Sequence, residues 1–492
     1  MFGLRLISSS RLVGAWLILL AASLSQSEVA GNEQPRPNFL VILCDDLGYG
    51  DLACYGHPAI KTPNLDKLAA DGIRFTDCYS ASPVCSPSRA GLLTGRTPSR
   101  VGVYDWIPAG HVMHLKSSER TIATLLKETG YSTCHVGKWH LNGKFNSPDQ
   151  PQPSDHGFEH WMSTQNNAAP SHENPTNFVR NGQRIGKQEG YSCQVVAREA
   201  IEWLTNGRDK NKPFFQFVCF HEPHEPLASP ADLVATYPDA KEKGQALYYA
   251  NVTNMDRAVG QIMQALDDLK LCNNTLVFFT SDNGPETLNR YPNAWRSHGS
   301  PGGLRGMKLW LYEGGIRVPG IVRWPGVVKP GQTIKEPICS LDLLPTFCNL
   351  AGADAPSDRT LDGEDVNALL RGKSFTRNKP LFWHYFRALG GWQAAMRDGD
   401  IVVLGRAAEK LDKTSGEMNE FSEPNTEGLS EFEAYRLSVD VSQKYKLLPA
   451  QNRSLHQSIQ ELSRRYRQVQ ADGPTWQTEP LPRDRLGRDS SY

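Results

Sequence analysis

Asn38-Phe39-Leu40-Val41-Ile42-Leu43-Cys44-Asp45-Asp46 is an apolar run of strand length that ends abruptly on two adjacent carboxylates. Three further runs of the same kind follow at 132–136, 214–219 and 276–280, and helix-like stretches at 65–71, 122–128, 193–204 and 251–269 lie between them. That rhythm predicts an α/β fold: a large, mostly parallel sheet with helices on both faces. After Ser374 the pattern changes. Residues 381–386, 393–397 and 401–404 read as short antiparallel strands and 454–469 as an amphipathic helix, while 407–430 is polar and reads as a surface loop. We therefore expect a large α/β domain over 36–374, a smaller C-terminal α+β subdomain over 375–480 and a tail over 481–492.

In open α/β sheets, ligands gather at the carboxyl ends of the strands. Each run here ends in polar residues: Asp45-Asp46, then Gly137-Lys138-Trp139-His140, then His221-Glu222-Pro223-His224, then Ser281-Asp282-Asn283-Gly284. Four segments can thus converge on one cleft. The polar, aperiodic stretches 142–190 and 285–306 read as long loops around its mouth.

The composition fits this picture. The chain has 492 residues, 39% of them hydrophobic and 22% charged, which excludes a single small module and wholesale disorder. Basic and acidic residues balance at 53 each, so no global field draws in nucleic acid, and any anion site must be local. Arg5 and Arg11, the apolar stretch 12–24 and the small-residue end Glu28-Val29-Ala30 follow the plan of a secretory signal over 1–30, cleaved near Ala30. Its apolar core is shorter than the roughly 20 residues that cross a bilayer. The expected location is periplasmic or secreted, or lysosomal or extracellular in a eukaryote, with no stable membrane insertion after cleavage. The ten cysteines show no CxxC pair, which argues against a thiolate zinc site; Cys44 and Cys219 read as buried thiols.

Asp45, Asp46, Asp282 and Asn283 offer carboxylate and amide oxygens, the donor set of a hard divalent ion such as Ca²⁺ or Mg²⁺, although Asp-Asn-Gly is also ordinary turn sequence. In Cys85-Ser86-Pro87-Ser88-Arg89-Ala90-Gly91-Leu92-Leu93-Thr94-Gly95-Arg96, Ser86 reads as a helix cap, Pro87 as the first helical residue and Gly95 as the stop. Cys85 would sit at a helix N-terminus, which favours an anion, with Arg89 on the same face. On an extended chain Lys138 and His140 point to one side. His221 and His224 flank one strand end, and Lys308 follows the Gly-rich stretch 302–306.

Together these residues resemble the type I, formylglycine-dependent sulfatases of the alkaline phosphatase superfamily, with local similarity to the arylsulfatase A and N-acetylgalactosamine-6-sulfatase-like branch. The strongest element is Cys-x-Pro-Ser-Arg followed by Leu-Thr-Gly-Arg, complete from Cys85 to Arg96. Tyr312-Glu313-Gly314-Gly315, Arg317-Val318-Pro319 and Ser340-Leu341-Asp342-Leu343-Leu344-Pro345-Thr346 extend the agreement. The resemblance implies that a formylglycine-generating enzyme oxidises Cys85 to 3-oxoalanine (Cα-formylglycine). It also implies that Asp45, Asp46, Asp282, Asn283 and the modified Cys85 hold one Ca²⁺ per chain, and that Arg89, Lys138, His140, His221 and Lys308 surround the sulfate. His221 is chosen for its His-x-Pro context, which His224-Glu225-Pro226 shares.

The implied chemistry is attack on sulfur by a hydrated formylglycine, giving a covalent sulfate ester that collapses when the second hydroxyl loses its proton, plausibly to His140. His221 or Lys308 would protonate the leaving group. The implied substrate is a sulfated sugar, from a glycosaminoglycan or another sulfated polysaccharide, or an aryl sulfate. A phosphonate or phosphate ester hydrolase of the same superfamily and a catalytically idle sulfated-glycan binding protein are the alternatives; the complete set of site residues argues against the second.

Overall fold

A computed structural model describes residues 1–3, 36–286, 298–407, 428–448, 453–473 and 476. The chain divides into Met1–Pro35 and Arg36–Tyr492, and everything below concerns the second unit. Beyond its first three residues, the expected signal segment 1–30 lies outside the described residues, as does the tail 481–492.

In chain order the strands are β1 (Asn38–Cys44), β2 (Ile73–Tyr79), β3 (Ser132–Lys138), β4 (His160–Thr164), β5 (Val179–Arg180), β6 (Gln183–Arg184), β7 (Phe214–Cys219), β8 (Thr275–Ser281), β9 (Arg317–Arg323), β10 (Gln332–Ile334), β11 (Ile338–Cys339), β12 (Leu381–His384), β13 (Ala394–Asp398), β14 (Ile401–Ala407) and β15 (Leu429–Arg436). The first eleven form one sheet in the order β10-β2-β9-β8-β1-β7-β3-β4-β5-β6, with β11 beside β2. The central strands from β8 to β4 are parallel, and β9 runs antiparallel between β8 and β2. The fold is therefore the expected mixed, mostly parallel α/β sheet.

The opening run needs no polar alternation because both its faces are covered. Phe39, Val41 and Leu43 pack with Leu92, Leu126 and Phe347, on helices Cys85–Thr94, Ile122–Glu128 and Leu343–Ala351. Leu40, Ile42 and Cys44 pack with Leu65, Val196 and Val259, on helices Pro63–Ala70, Ser192–Glu202 and Lys243–Asp268. Each side chain of this size contributes about 1.5–3 kcal/mol when fully buried.

Gly137, with φ 104°, sits where a Cβ would lie 1.8 Å from the carbonyl oxygen of Cys219. Only glycine fits there, and it holds the end of β3 against β7 beside Lys138.

Two expectations are corrected. The stretch 142–190 is not one loop: it contains β4, which pairs in parallel with β3 and is followed by the short hairpin β5–β6. The stretch 407–430 lies mostly outside the described residues, but β15 starts within it.

The small sheet, β12-β13-β14-β15, is antiparallel throughout. Helix Arg453–Asp472 covers one face through Leu455, Leu462, Tyr466 and Val469 against Phe382, Met396 and Val403. The other face puts Trp383, Val402 and Tyr435 into a cluster with Tyr79, Val84 and Tyr312. Val84 directly precedes Cys85, so the small sheet backs the segment that carries it. All ten cysteines are unpaired thiols, Cys44 and Cys219 among the buried ones. Among the described residues no helix is long and apolar enough to cross a membrane.

Candidate active site

The carboxyl ends of β1, β3, β7 and β8 do converge. One carboxylate oxygen each from Asp45 and Asp282 lies within 4.8 Å of the Cys85 sulfur and of one another; Asp46, His224 and Cys85 form a second such group. Arg89 donates from Nε and Nη2 to Asp282 Oδ2 at 3.0 and 2.8 Å, and from Nη1 to the Lys138 carbonyl at 2.9 Å. Lys138 Nζ donates to Asp45 Oδ2 at 2.6 Å and to Asn167 Oδ1 at 3.3 Å. Lys308 Nζ donates to Asp46 Oδ2 at 2.8 Å and lies 3.4 Å from Glu286.

Three buried carboxylates around one sulfur set the electrostatics. Burial alone would raise the Asp45 carboxyl, but Lys138, then His224, Arg89 and Lys308, hold it well below the usual range. Asp282 moves the other way, to about 7, lifted by burial and by Asp45 against the opposition of Arg89. The Cys85 thiol is pushed far up by burial, which outweighs Lys138 and Lys308. It is therefore a poor nucleophile as a thiol, because the thiolate is the reactive form.

The same cluster suits a hard cation. Asp45 Oδ1 and Asn283 Oδ1 are buried oxygens without a hydrogen-bond partner, and Asn283 Nδ2 donates to Asp46 Oδ1 at 2.7 Å. A buried carboxylate or amide oxygen left unpaired is costly, and a divalent ion among oxygen donors removes that cost.

A sulfatase family model matches residues 37–353. The chain belongs to the sulfatase family. It is 38% identical over 391 residues to arylsulfatase A of Homo sapiens, covering 75% of this chain and 73% of that one. To steryl-sulfatase of Rattus norvegicus it is 35% identical over 457 residues, 76% of this chain and 77% of that one. Among solved structures, Ps i-CgsB in complex with k-i-k-neocarrahexaose superposes with a TM-score of 0.74 at 28% identity, covering 89% of this chain and 94% of that one. The protein is thus an enzyme of the sulfuric ester hydrolase class.

Several local expectations for this sulfatase change. Ser86 is not the cap: the helix starts at Cys85 after Val84, and Ser86 Oγ instead accepts the Ile107 N–H at 3.1 Å. Gly95 does end it, at φ 66°. His140 does not lie on extended chain, because β3 stops at Lys138 and His140 adopts φ 56°. Its Nε2 lies 3.1 Å from the Ile107 carbonyl, so Nε2 carries the proton and the buried, unpartnered Nδ1 is the basic nitrogen. Burial, with Lys138 and Arg89 nearby, keeps this imidazole neutral.

The choice between the two histidines is also revised. His221 is fully buried, bonded through Nε2 to Thr164 Oγ1 at 2.8 Å and edge-on to Phe178. His224 is the one grouped with Asp46 and Cys85, with Nε2 3.6 Å from Asp46 Oδ2, and burial and Lys308 lower it to about 3. Position in the cleft therefore favours His224, whose own His-x-Pro pattern was the available signal. Asn167 and Glu286, which touch the two lysines, carried no sequence signal.

The Gly314-Gly315 pair acquires a reason. A Cβ on Gly314 would lie 2.1 Å from the Gly306 carbonyl oxygen, and one on Gly315 2.0 Å from that of Trp310. Gly315 O accepts the Gly284 N–H at 3.0 Å, so the pair lets the Lys308 loop and the Asn283 turn pack together.

The loop after Asp46 is pinned by Asp51, which accepts from Gly48 N, Ser300 N and Tyr248 Oη at 2.6, 2.7 and 2.8 Å. Burial nevertheless raises its carboxyl from 3.8 to about 7. A carboxyl raised on folding gives stability that is complete below its unfolded value and lost as the pH rises through the folded one. Compared with Asp51→Asn, which has no proton to lose, the wild type should lose a few kcal/mol of unfolding free energy between about pH 4 and about pH 8. Urea unfolding at the two pH values checks this; a difference independent of pH contradicts it.

Proposed function

We propose that this sulfatase is an exported enzyme that removes sulfate from a sulfated carbohydrate, using Cys85 oxidised to Cα-formylglycine beside a calcium ion held by Asp45, Asp46, Asp282 and Asn283. The carrying observation is the Cys85 sulfur, buried at a helix start within 4.8 Å of paired carboxylates and backed by Arg89. When present, the ion and the hydrated aldehyde supply an acidified hydroxyl nucleophile and a second hydroxyl whose deprotonation releases the product.

The remaining work falls to side chains. Arg89 is locked by three hydrogen bonds and orients the Asp282 carboxylate. Lys138 and Lys308 bond different carboxylates of the cluster, one Asp45 and the other Asp46, and bring positive charge to the sulfuryl oxygens. Lys308 is placed to hand a proton to the departing oxygen, while His224, whose Nδ1–H donates to the Glu225 carbonyl at 2.6 Å, turns Nε2 to the cleft beside Asp46. His140 is neutral, with Nδ1 as acceptor, and takes the proton whose loss frees sulfate. The sugar assignment is supported by Ps i-CgsB, whose solved complex contains a neocarrahexaose. Maturation calls for a formylglycine-generating partner.

The test is sulfate release by calcium-loaded protein matured with formylglycine-generating activity, on sulfated sugars, aryl sulfates and phosphate or phosphonate esters. Release from at least one sulfated sugar in preference to the phosphorus esters is expected. Turnover confined to aryl sulfates or to phosphorus esters overturns the reading.

A further inference from the structure

Two segments meet beside this site without a role in the chemistry above. The Ile107 N–H donates to Ser86 Oγ and its carbonyl faces His140 Nε2, each at 3.1 Å, so residues 105–107 lie against the Cys85 turn and His140. The turn after β12 reaches the same place from the small sheet. Tyr385 Oη donates to Asp105 Oδ1 at 3.0 Å and Arg387 Nη1 to Asp105 Oδ2 at 2.9 Å, while Phe386 meets Tyr104 edge to face. Three residues on, the Leu389 N–H donates to the carbonyl of Leu309, the neighbour of Lys308, at 2.9 Å. This turn therefore bridges the His140 side of the site and the Lys308 side.

Asp105 is buried, yet Trp106 is 36% exposed and the Arg387 side chain 31%. A lone exposed tryptophan is unremarkable on a surface. Here, however, Trp106 stands between Asp105, the carboxylate that fixes Arg387, and Ile107, which bonds Ser86 and faces His140. An aromatic side chain joined through one carboxylate to a fixed guanidinium suits a ring that bears an anionic group, since the planar fork matches carboxylate or sulfate oxygens.

We infer that Trp106 and Arg387 form the subsite for the part of the substrate beyond the scissile ester, Trp106 taking a sugar ring and Arg387 a second anionic group on it. The inference rests on the carbohydrate reading above. It makes the substrate a polyanionic glycan, carrying either a uronate or a second sulfate near the sulfate that is cleaved.

The test uses matured, calcium-loaded enzyme and three oligosaccharides that share the scissile sulfate: one otherwise neutral, one with an adjacent uronate and one with a second sulfate. In Arg387→Ala the kcat/KM ratio of an anionic to the neutral sugar should fall about tenfold or more, as for a lost hydrogen bond to a charged group. Arg387→Lys should recover part of it, and Trp106→Ala should lower all three sugars together. Whichever anionic sugar shows the drop identifies the group. An unchanged ratio in Arg387→Ala overturns the inference, because damaged packing alone would lower all substrates alike.

Calorimetric binding of the same sugars to Cys85→Ala protein separates the two levels. If the wild type turns over no sulfate ester but the anionic sugar binds and Arg387→Ala weakens it about tenfold, the subsite stands and the proposed function falls. If no sugar binds, the subsite falls whatever the aryl sulfates do.

Discussion

Cys85→Ser is expected to abolish steady-state sulfate release, by about a million-fold in kcat, the scale seen when a covalent catalyst loses its nucleophile. The geometry around residue 85 would survive, since the side chain is buried among Asp45, Asp46, Asp282 and His224 and a hydroxyl fits where a thiol did. What would be lost is the second oxygen on the same carbon. A serine that attacked sulfur would hold the sulfuryl group as a stable ester, with no neighbouring hydroxyl for His140 to deprotonate. A rapid-quench assay should therefore show at most one sulfuryl equivalent bound per chain and no turnover. Turnover at a wild-type rate by the serine variant would mean that the reaction does not pass through residue 85 as described.

Lys138→Ala should reduce kcat by about 10²–10³, the cost of removing one preorganised donor from a developing anion, and should also destabilise the fold by about 3–5 kcal/mol. The second effect has its own cause. Lys138 is fully buried with its ammonium 2.6 Å from Asp45, and without it the carboxylate would remain buried with its nearest Arg89 nitrogen at 3.7 Å. Calcium binding should offset part of the stability loss, because the ion supplies the missing positive charge, but should not restore kcat. Thermal unfolding with and without calcium, alongside kcat on one aryl sulfate, separates the two effects. A variant that is destabilised yet fully active would assign Lys138 to folding alone.

Much of this arrangement was legible in the residues. The β1 run was readable because a strand covered on both faces has no polar alternation to confuse it, and its end at Asp45-Asp46 marked the site. β2 and β9 were harder. β2 interrupts its apolar residues with Arg74 and with the adjacent Thr76 and Asp77, which breaks the alternation, and β9 contains Pro319 and Gly320, which argue against a strand by composition. The structure uses both exceptions: the Pro319 carbonyl accepts from Thr280 Oγ1, and Gly320 lies where a Cβ would meet Cys78 at 2.5 Å.

In the site, the carboxylates, Cys85, Arg89 and the lysines, which the structure brings together, were visible as candidates by their types and order in the chain. The conformations of Ser86 and His140 were not, since each depends on Ile107, a residue about twenty to thirty positions away in sequence and without any polar signal of its own. The two His-x-Pro patterns were equivalent as sequence. Only the path of the chain after β7, which turns His221 to Thr164 and His224 to Asp46, distinguishes them.

The central claim is that Cys85 is the precursor of the nucleophile, and the mass of the tryptic peptide from Phe75 to Arg89 tests it most directly. In active protein made with formylglycine-generating activity, the account predicts a peptide in which the Cys85 thiol has been replaced by an aldehyde. The aldehyde content should rise in proportion to specific activity across preparations. Full activity in a preparation whose Cys85 is entirely an unmodified thiol would contradict it.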